Sequence, residues 1–450
     1  MSFPKNFAWG VAAASYQVEG ATKVDGRGAT VWDMMCRKEN AIWNGQTGDV
    51  ACDHYHRYKQ DVAMMKSLSI QAYRFSVAWS RVLPSGTGKV NPKGLAFYDK
   101  LVDELLAAGI EPYVTLFHWD FPLVLYHRGG WLNRDSADWF ADYTNIVVNK
   151  LSDRVKHWIT LNEPFCFIEQ GHQAGRHAPG DKLAWDEVLR AGHNALRAHG
   201  KAVQVIRARA KAKPAIGCAS IGNVCLPAAD KVADVNAARR AMFEIKERSL
   251  WSHAWWGDPM FFGRYPEDGL KVFGRDAPPV EPGDMRDIRQ PVDFYGLNIY
   301  VGSYVRAGKG AVPQPVVPPV GHALTAFRWP VTPGALYWGP RFLQERYGKP
   351  MYITENGLSN VDWMALDGQV HDPQRIDFLQ RHLRELRQAC SDGVDVRGYF
   401  QWSIMDNFEW AEGYKERFGL VYVDYPTQRR IPKDSAYWYK RVIESNGTIL

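Results

Sequence analysis

Val155-Lys-His-Trp-Ile-Thr-Leu-Asn-Glu-Pro164 and Pro350-Met-Tyr-Ile-Thr-Glu-Asn-Gly357 are two strand-like runs that stop on or beside a glutamate, Glu163 and Glu355. A strand fixes the backbone, and a following Pro or Gly opens the chain to solvent. An acid at that junction is where an α/β barrel keeps its chemistry. Two such acids read as a pair. Cleaving a glycosidic bond needs one carboxyl to protonate the leaving oxygen and another to attack or stabilise the cationic sugar carbon, so the pattern suits that reaction. A pair of structural ion-paired carboxylates fits the two runs equally well at this point.

Outward from these runs, strand and helix patterns alternate. Strands are expected at about 7–14, 70–76, 111–117, 155–161, 215–221, 292–298, 350–354 and 396–402. Eight is the barrel number. A helix over 53–68 repeats Tyr55, Tyr58, Val62 and Met65, and the next opens on Asn91-Pro92 as N-cap and first turn and closes at Gly109. Connections into strands are short, whereas those leaving them are long: 118–135, 162–185, 222–240, 299–335 and 403–430. Long loops at one face imply a single (β/α)8 TIM barrel over residues 1–450, its βα loops forming the active-site face. The Pro-rich stretch Val312–Pro319 then reads as a loop over that face and not as a linker.

The 450 residues suffice for one such barrel or for two to three smaller domains, so length alone does not choose. Trp (18) and Tyr (21) are abundant; aromatics suit sugar faces, though most rings are core. A net charge of +6, with Arg207, Arg209, Lys211 and Lys213 at an expected helix end, reads as a solvated terminus, and no nucleic-acid partner is expected. The six cysteines form no CxxC pairs, and the start Met1-Ser-Phe-Pro has no leader pattern, so a reducing, cytoplasmic setting is expected. No apolar run approaches the ~20 residues of a membrane span. His54, His56, His193 and His199 lack the carboxylate and thiolate company of a metal site. With no GxGxxG after a strand and no P-loop, neither dinucleotide nor ATP is expected, and no cofactor or metal is called for.

Further stretches complete a resemblance. Phe7-Ala-Trp-Gly-Val-Ala-Ala-Ala-Ser-Tyr-Gln-Val-Glu-Gly20, Arg74-Phe-Ser76, Phe117-His-Trp119, Asn162-Glu-Pro164, Asn298-Ile-Tyr300, Ile353-Thr-Glu-Asn-Gly357 and Trp402-Ser-Ile-Met-Asp-Asn-Phe-Glu-Trp410 occur in that order. Together they resemble glycoside hydrolase family 1 of the β-glucosidase type, over nearly the whole chain. The resemblance implies that Glu355 is the nucleophile and Glu163 the acid/base. Local chemistry points the same way, since Arg74 at the end of strand 2 and Tyr300 after strand 6 are placed to keep Glu355 ionised. Glu163, facing that charge in a drier pocket, should hold its proton to higher pH.

For sugar binding the resemblance carries over to Gln17, His118, Asn162, Asn298, Tyr300 and Glu409, with Trp402 and Trp410 beside them and Arg74 in support. Amide and carboxylate groups grip adjacent hydroxyls, and indole faces pack on C–H bonds. Asn162 is expected at the 2-hydroxyl. Trp329 resembles the family's platform for the leaving group, with Asn223 a weaker candidate there. Relatives acting on 6-phosphorylated sugars replace the Glu-Trp pair, which stands here as Glu409-Trp410, a carboxylate expected to repel phosphate, and plant thioglucosidases lack the acid that Glu163 supplies. The expected function is therefore a microbial, exo-acting, retaining β-glucosidase taking small β-glycosides or short oligosaccharides such as cellobiose, with β-galactosidase or β-fucosidase side activity and transglycosylation as extensions. The competing reading is a non-catalytic sugar-binding barrel. Homo-oligomerisation is left open.

Overall fold

A computed structural model describes residues 2–450. Eight parallel strands lie at Ala8–Ala12 (β1), Ala72–Ser76 (β2), Glu111–Phe117 (β3), His157–Asn162 (β4), Ala215–Ser220 (β5), Tyr295–Asn298 (β6), Met351–Asn356 (β7) and Val396–Trp402 (β8). Each pairs with its neighbours in the chain, and β8 closes on β1 with Gly398 opposite Ala8 and Trp402 opposite Ala12. The result is the expected closed barrel. The sixth strand begins at Tyr295, not at residue 292, because the Asp293 side chain interrupts the ladder: its backbone N–H donates to the Ile216 carbonyl of β5, but its carboxylate, in place of a backbone carbonyl, accepts from the Ile216 N–H and from Arg207.

Parallel strands buried on both faces need apolar side chains throughout. Inside, rings of opposite strands meet: Tyr113 of β3 stands 5.7 Å from Tyr352 of β7 and 4.7 Å from Phe400 of β8. Phe400 fits because Gly10 faces it; a Cβ there would lie 2.4 Å from the ring. Outside, the helices His54–Ser67, Pro92–Ala107, Ser136–Leu151, Trp185–Arg209, Val232–Phe243 with His253–Phe262, Ala335–Tyr347, Pro373–Ser391 and Asp434–Glu444 follow successive strands. Pro92 opens its helix and Asn91 stands at the N-cap as expected, but the Asn91 side chain makes no cap bond. Its amide instead donates to the carbonyls of Asp25 and Arg81.

The long loops lie where strands end, and they are not bare. The loops after β5 and β6 build a three-stranded side sheet from Cys225–Pro227, Ser303–Ala307 and Pro313–Pro315. The Pro-rich stretch is thus partly the edge of that sheet, where proline's missing N–H does no harm. Arg207 ends the long helix Trp185–Arg209 and pairs with Asp293 at 2.5 Å, the helix-end role expected of that basic stretch. All six cysteines are free, and no helix among the described residues is long and apolar enough to cross a membrane.

Candidate active site

Glu163 is the first residue beyond β4, and its backbone is left-handed (φ 47°). That conformation is costly for a residue with a Cβ. It ends the strand at once and starts the short helix Pro164–Ile168, with Pro164 in the first turn. Trp119 (φ 77°), Arg328 (φ 61°) and Trp410 (φ 51°) share the left-handed region, and Trp119 and Trp410 stand in the same pocket wall. Glu355 lies inside β7, one residue before its end. The register between β7 and β6 slips between Ile353 and Glu355, and that between β4 and β5 slips between Ile159 and Asn162. Such irregularities re-aim side chains at a barrel rim.

A chain of hydrogen bonds joins the two glutamates. Arg74, fully buried, donates from Nη1 to Glu355 Oε1 (2.5 Å) and to the Thr354 carbonyl (3.1 Å), and from Nη2 to Asn162 Oδ1 (2.5 Å). Asn298 Nδ2 donates to that same Oδ1 (3.0 Å) and to Glu163 Oε1 (2.6 Å). Tyr300 donates its hydroxyl to Glu355 Oε2 at 2.7 Å. On the far side, Cys166 donates to Glu163 Oε2 at 3.1 Å. Four strands or strand ends, β2, β4, β6 and β7, thereby fix two carboxyl groups.

These surroundings make the two carboxyls unequal. Burial, reinforced by the negative charge of Glu355, pushes Glu163 up to about 8, against donors on both of its oxygens. Burial also raises Glu355, contrary to the expectation that it is simply held down. There, however, the Arg74 cation and the Tyr300 hydroxyl oppose the rise, so Glu355 is the more acidic of the two. His118 is driven well below the ordinary imidazole range by burial and by Arg74, so it is neutral. Asn162 Nδ2 lies 3.0 Å from its Nε2, which makes Nε2 the acceptor and Nδ1 the protonated nitrogen. That Nδ1 and the buried Oε1 of Gln17 have no protein partner among the described residues, a donor and an acceptor left for a ligand.

The glutamates stand in a cavity of about 250 Å³. His118, Tyr300, Trp402, Glu409, Trp410 and Trp329 also line it. Gln17, Asn162, Asn298 and Arg74 adjoin this lining through hydrogen bonds to Glu409, His118, Glu163 and Glu355. Gln17 Nε2 donates to Asn407 Oδ1 (3.0 Å), the Phe408 carbonyl (2.9 Å) and Glu409 Oε2 (3.3 Å). Trp329 lies 5.3 Å from the Tyr300 ring and stacks on Phe327 at 4.6 Å, so it belongs to the wall as well as to its loop.

Three expectations change. Asn223 does not reach the cavity, because the chain turns into the side sheet and the Asn223 amide meets Cys225 Sγ at 3.2 Å. His54 and His193 do have carboxylate partners, Asp61 at 2.8 Å and Asp284 at 3.0 Å, as buried pairs. Glu409 was expected as a standing negative charge against phosphorylated sugars. Instead, burial and the neighbouring Glu355, Glu416 and Glu163 hold its proton well above the ordinary range. The sequence reading also missed Trp119, Cys166, His177, Trp251 and Phe418 in the wall. Cys166 had a signal, three residues beyond Glu163 across one helical turn. Trp251 had none, since it arrives on a loop between helices.

A closed parallel barrel that gathers two carboxyl groups of unequal acidity at its strand ends, under an aromatic wall, defines a barrel glycosidase. Comparison with known proteins narrows the class. The model of Glycosyl hydrolase family 1 matches residues 1–448. Beta-glucosidase A of Thermotoga maritima is 45% identical over 446 residues, covering 99% of this chain and 98% of that protein. A bifunctional beta-D-glucosidase/beta-D-fucosidase of Bifidobacterium breve is 41% identical, with 99% of each covered. The solved structure of the Thermotoga maritima beta-glucosidase in complex with glucoimidazole superimposes with a TM-score of 0.90 at 44% identity, covering 99% of both chains. The chain belongs to glycosyl hydrolase family 1. It is a retaining glycosidase.

Proposed function

We propose that the chain, acting as one catalytic barrel, is an exo-acting β-glucosidase that removes terminal non-reducing β-D-glucosyl residues from O-glycosides, with Glu355 as nucleophile and Glu163 as acid/base. The observation that carries this reading is the unequal pair itself. Glu163 keeps a proton near neutrality while Glu355, facing Arg74 and Tyr300, is the one to ionise. In the first step a Glu355 oxygen bonds to C1, the C1–O bond breaks toward the aglycone oxygen, and the Glu163 proton goes to that oxygen. In the second, water attacks C1, Glu163 takes its proton, and Glu355 leaves as carboxylate, so the β-configuration is restored. An alcohol in place of water gives transglycosylation.

Gln17, His118 and Glu409 are placed for the outer hydroxyls, Trp402 and Trp410 for the sugar's flank, and Trp329 for the leaving group. Asn162 has one amide hydrogen committed to His118, which leaves the other for the 2-hydroxyl. Such a bond, strengthening in the transition state, raises rate as well as affinity. The fucosidase named in the Bifidobacterium relative supports side activity on sugars altered at C4 or C6. Six free thiols fit a reducing, cytoplasmic setting. A kinetic panel of aryl β-glycosides differing only at C2, C4 and C6 tests the assignment. The glucoside should lead in kcat/KM; no turnover of any member would return the chain to a sugar-binding barrel.

A further inference from the structure

The two oxygens of Glu163 have partners of different kinds. Asn298 Nδ2 lies 2.6 Å from Oε1, and an amide N–H only donates. Oε1 is therefore an acceptor in both protonation states and does not carry the proton. Oε2 is left with the Cys166 thiol at 3.1 Å. Cys166 is buried, yet with Glu163 it lines the cavity, so Oε2 and the thiol border the same space. Its position is fixed locally: the Cys166 N–H donates to the Glu163 carbonyl at 2.9 Å, and its own carbonyl lies 3.2 Å from His177 Nδ1.

We propose that Cys166 is a positioning residue for the acid/base: its thiol marks Oε2 as the oxygen that carries the transferable proton and tunes how firmly that proton is held. A thiol is a weak donor and a weak acceptor. It accepts from Oε2–H when Glu163 is protonated, and it donates to Oε2 when Glu163 is ionised, binding neither state strongly. The proton is kept on the side facing the cavity without being drawn away from it. The thiol stays neutral throughout, since burial and the adjacent Glu163 charge raise it well above the ordinary range. The other charged and titratable groups facing Glu163 are Arg74 from β2, Tyr300 after β6, Glu355 from β7 and Glu409 after β8, and none of them touches Oε2.

The inference rests on Glu163 being the acid, and the experiment separates the two. The alkaline limb of kcat/KM for an aryl β-glucoside with a poor leaving group reports the Glu163 proton. Cys166→Ser supplies a stronger donor to the carboxylate and should move that limb down by about 0.5 pH unit. Cys166→Ala, or the volume-matched Cys166→Val, removes the donor and should move it up by about as much. The order Ser, wild type, Ala or Val from low to high pH supports the proposal. Coincident limbs, or the reverse order, overturn it. If the Ala and Val chains fail to fold, the Ser limb against wild type decides alone. Glu163→Gln should lose turnover of the same substrate. If it does and the limbs coincide, the Cys166 role alone is wrong; if Glu163→Gln retains wild-type turnover, the acid assignment falls and the Cys166 role with it.

Discussion

Replacing Arg74 by Met removes the cation that offsets the burial of Glu355. Arg74 and Glu355 meet at 2.5 Å with both side chains almost wholly buried. With charge centres roughly 4 Å apart and an effective dielectric of about 20, the lost attraction is about 4 kcal/mol, or roughly 3 pKa units. The Tyr300 bond to Oε2 remains. Burial would then raise Glu355 unopposed by charge, and the nucleophile must be ionised to react. The acid limb of kcat/KM for 4-nitrophenyl β-glucoside should accordingly shift upward by about 2 units or more, since relaxation recovers part of the loss. Each unit by which the limb passes the assay pH costs about tenfold in rate. Leaving a buried carboxyl unpaired should also destabilise the fold, by about 3–5 kcal/mol. Arg74→Lys keeps the charge but cannot reach Glu355, Asn162 and the Thr354 carbonyl together, so it should restore only part of the limb. A folded Arg74→Met enzyme whose acid limb coincides with wild type would refute the electrostatic argument.

Glu355→Gly leaves space beside C1, so azide or formate should restore turnover of an activated aryl glucoside with inverted product, whereas Glu163→Ala with azide should give the retained β-azide; product NMR distinguishes them, and exchanged configurations would reverse the roles. 4-Nitrophenyl β-glucoside should be hydrolysed while its 6-phosphate is not, because a phosphate there gives up its water in a pocket that already carries the negative charge of Glu355, with like-charge contact costing several kcal/mol. Glu409→Ala should lose most activity on the glucoside and narrow that gap. Stability should fall at low pH: burial disfavours ionised Asp362, but Lys433 and Arg375 outweigh it and hold the carboxyl at about 2. Its contribution is full above the unfolded value of about 4 and is lost as pH drops toward 2. Lys433→Met, which takes from the buried Asp362 and Asp406 the cation they share and leaves each with one arginine, should lower Tm by several degrees in a calorimetric scan.

Much of the barrel was legible because buried parallel strands leave near-continuous apolar runs between Gly, Pro and Asn signals. Boundaries slipped where tertiary bonds override propensity. Val292 leads into a strand, yet the Asp293 carboxylate takes the Ile216 N–H of β5 and Arg207, so the ladder starts only at Tyr295. Asn91 has the composition of a cap, but two loop carbonyls claim its amide. The glutamates and Tyr300 were legible because each sits within two residues of a strand end, where fold alone fixes direction; Arg74, expected at the end of its strand, is instead the middle residue of β2. Asn223 sits at such an end too and misled, because a side sheet turns the chain away after β5. Electrostatic state was the least legible. In sequence Glu409 reads as an ordinary carboxylate, and only the packed wall shows burial, helped by the nearby Glu355, Glu416 and Glu163, holding its proton.

Glu355 is proposed to form the bond to the sugar, and trapping that bond tests the mechanism most directly. A 2-deoxy-2-fluoro-β-glucoside with an activated leaving group slows both steps, the second more, so the glycosyl-enzyme should accumulate and the peptide map can locate it. The account predicts one fluoroglucosyl adduct, on the Met351–Asn356 strand at Glu355, formed as the leaving group is released in an equal burst. An adduct on any other carboxylate, or turnover with no adduct and an α-configured product, would contradict it.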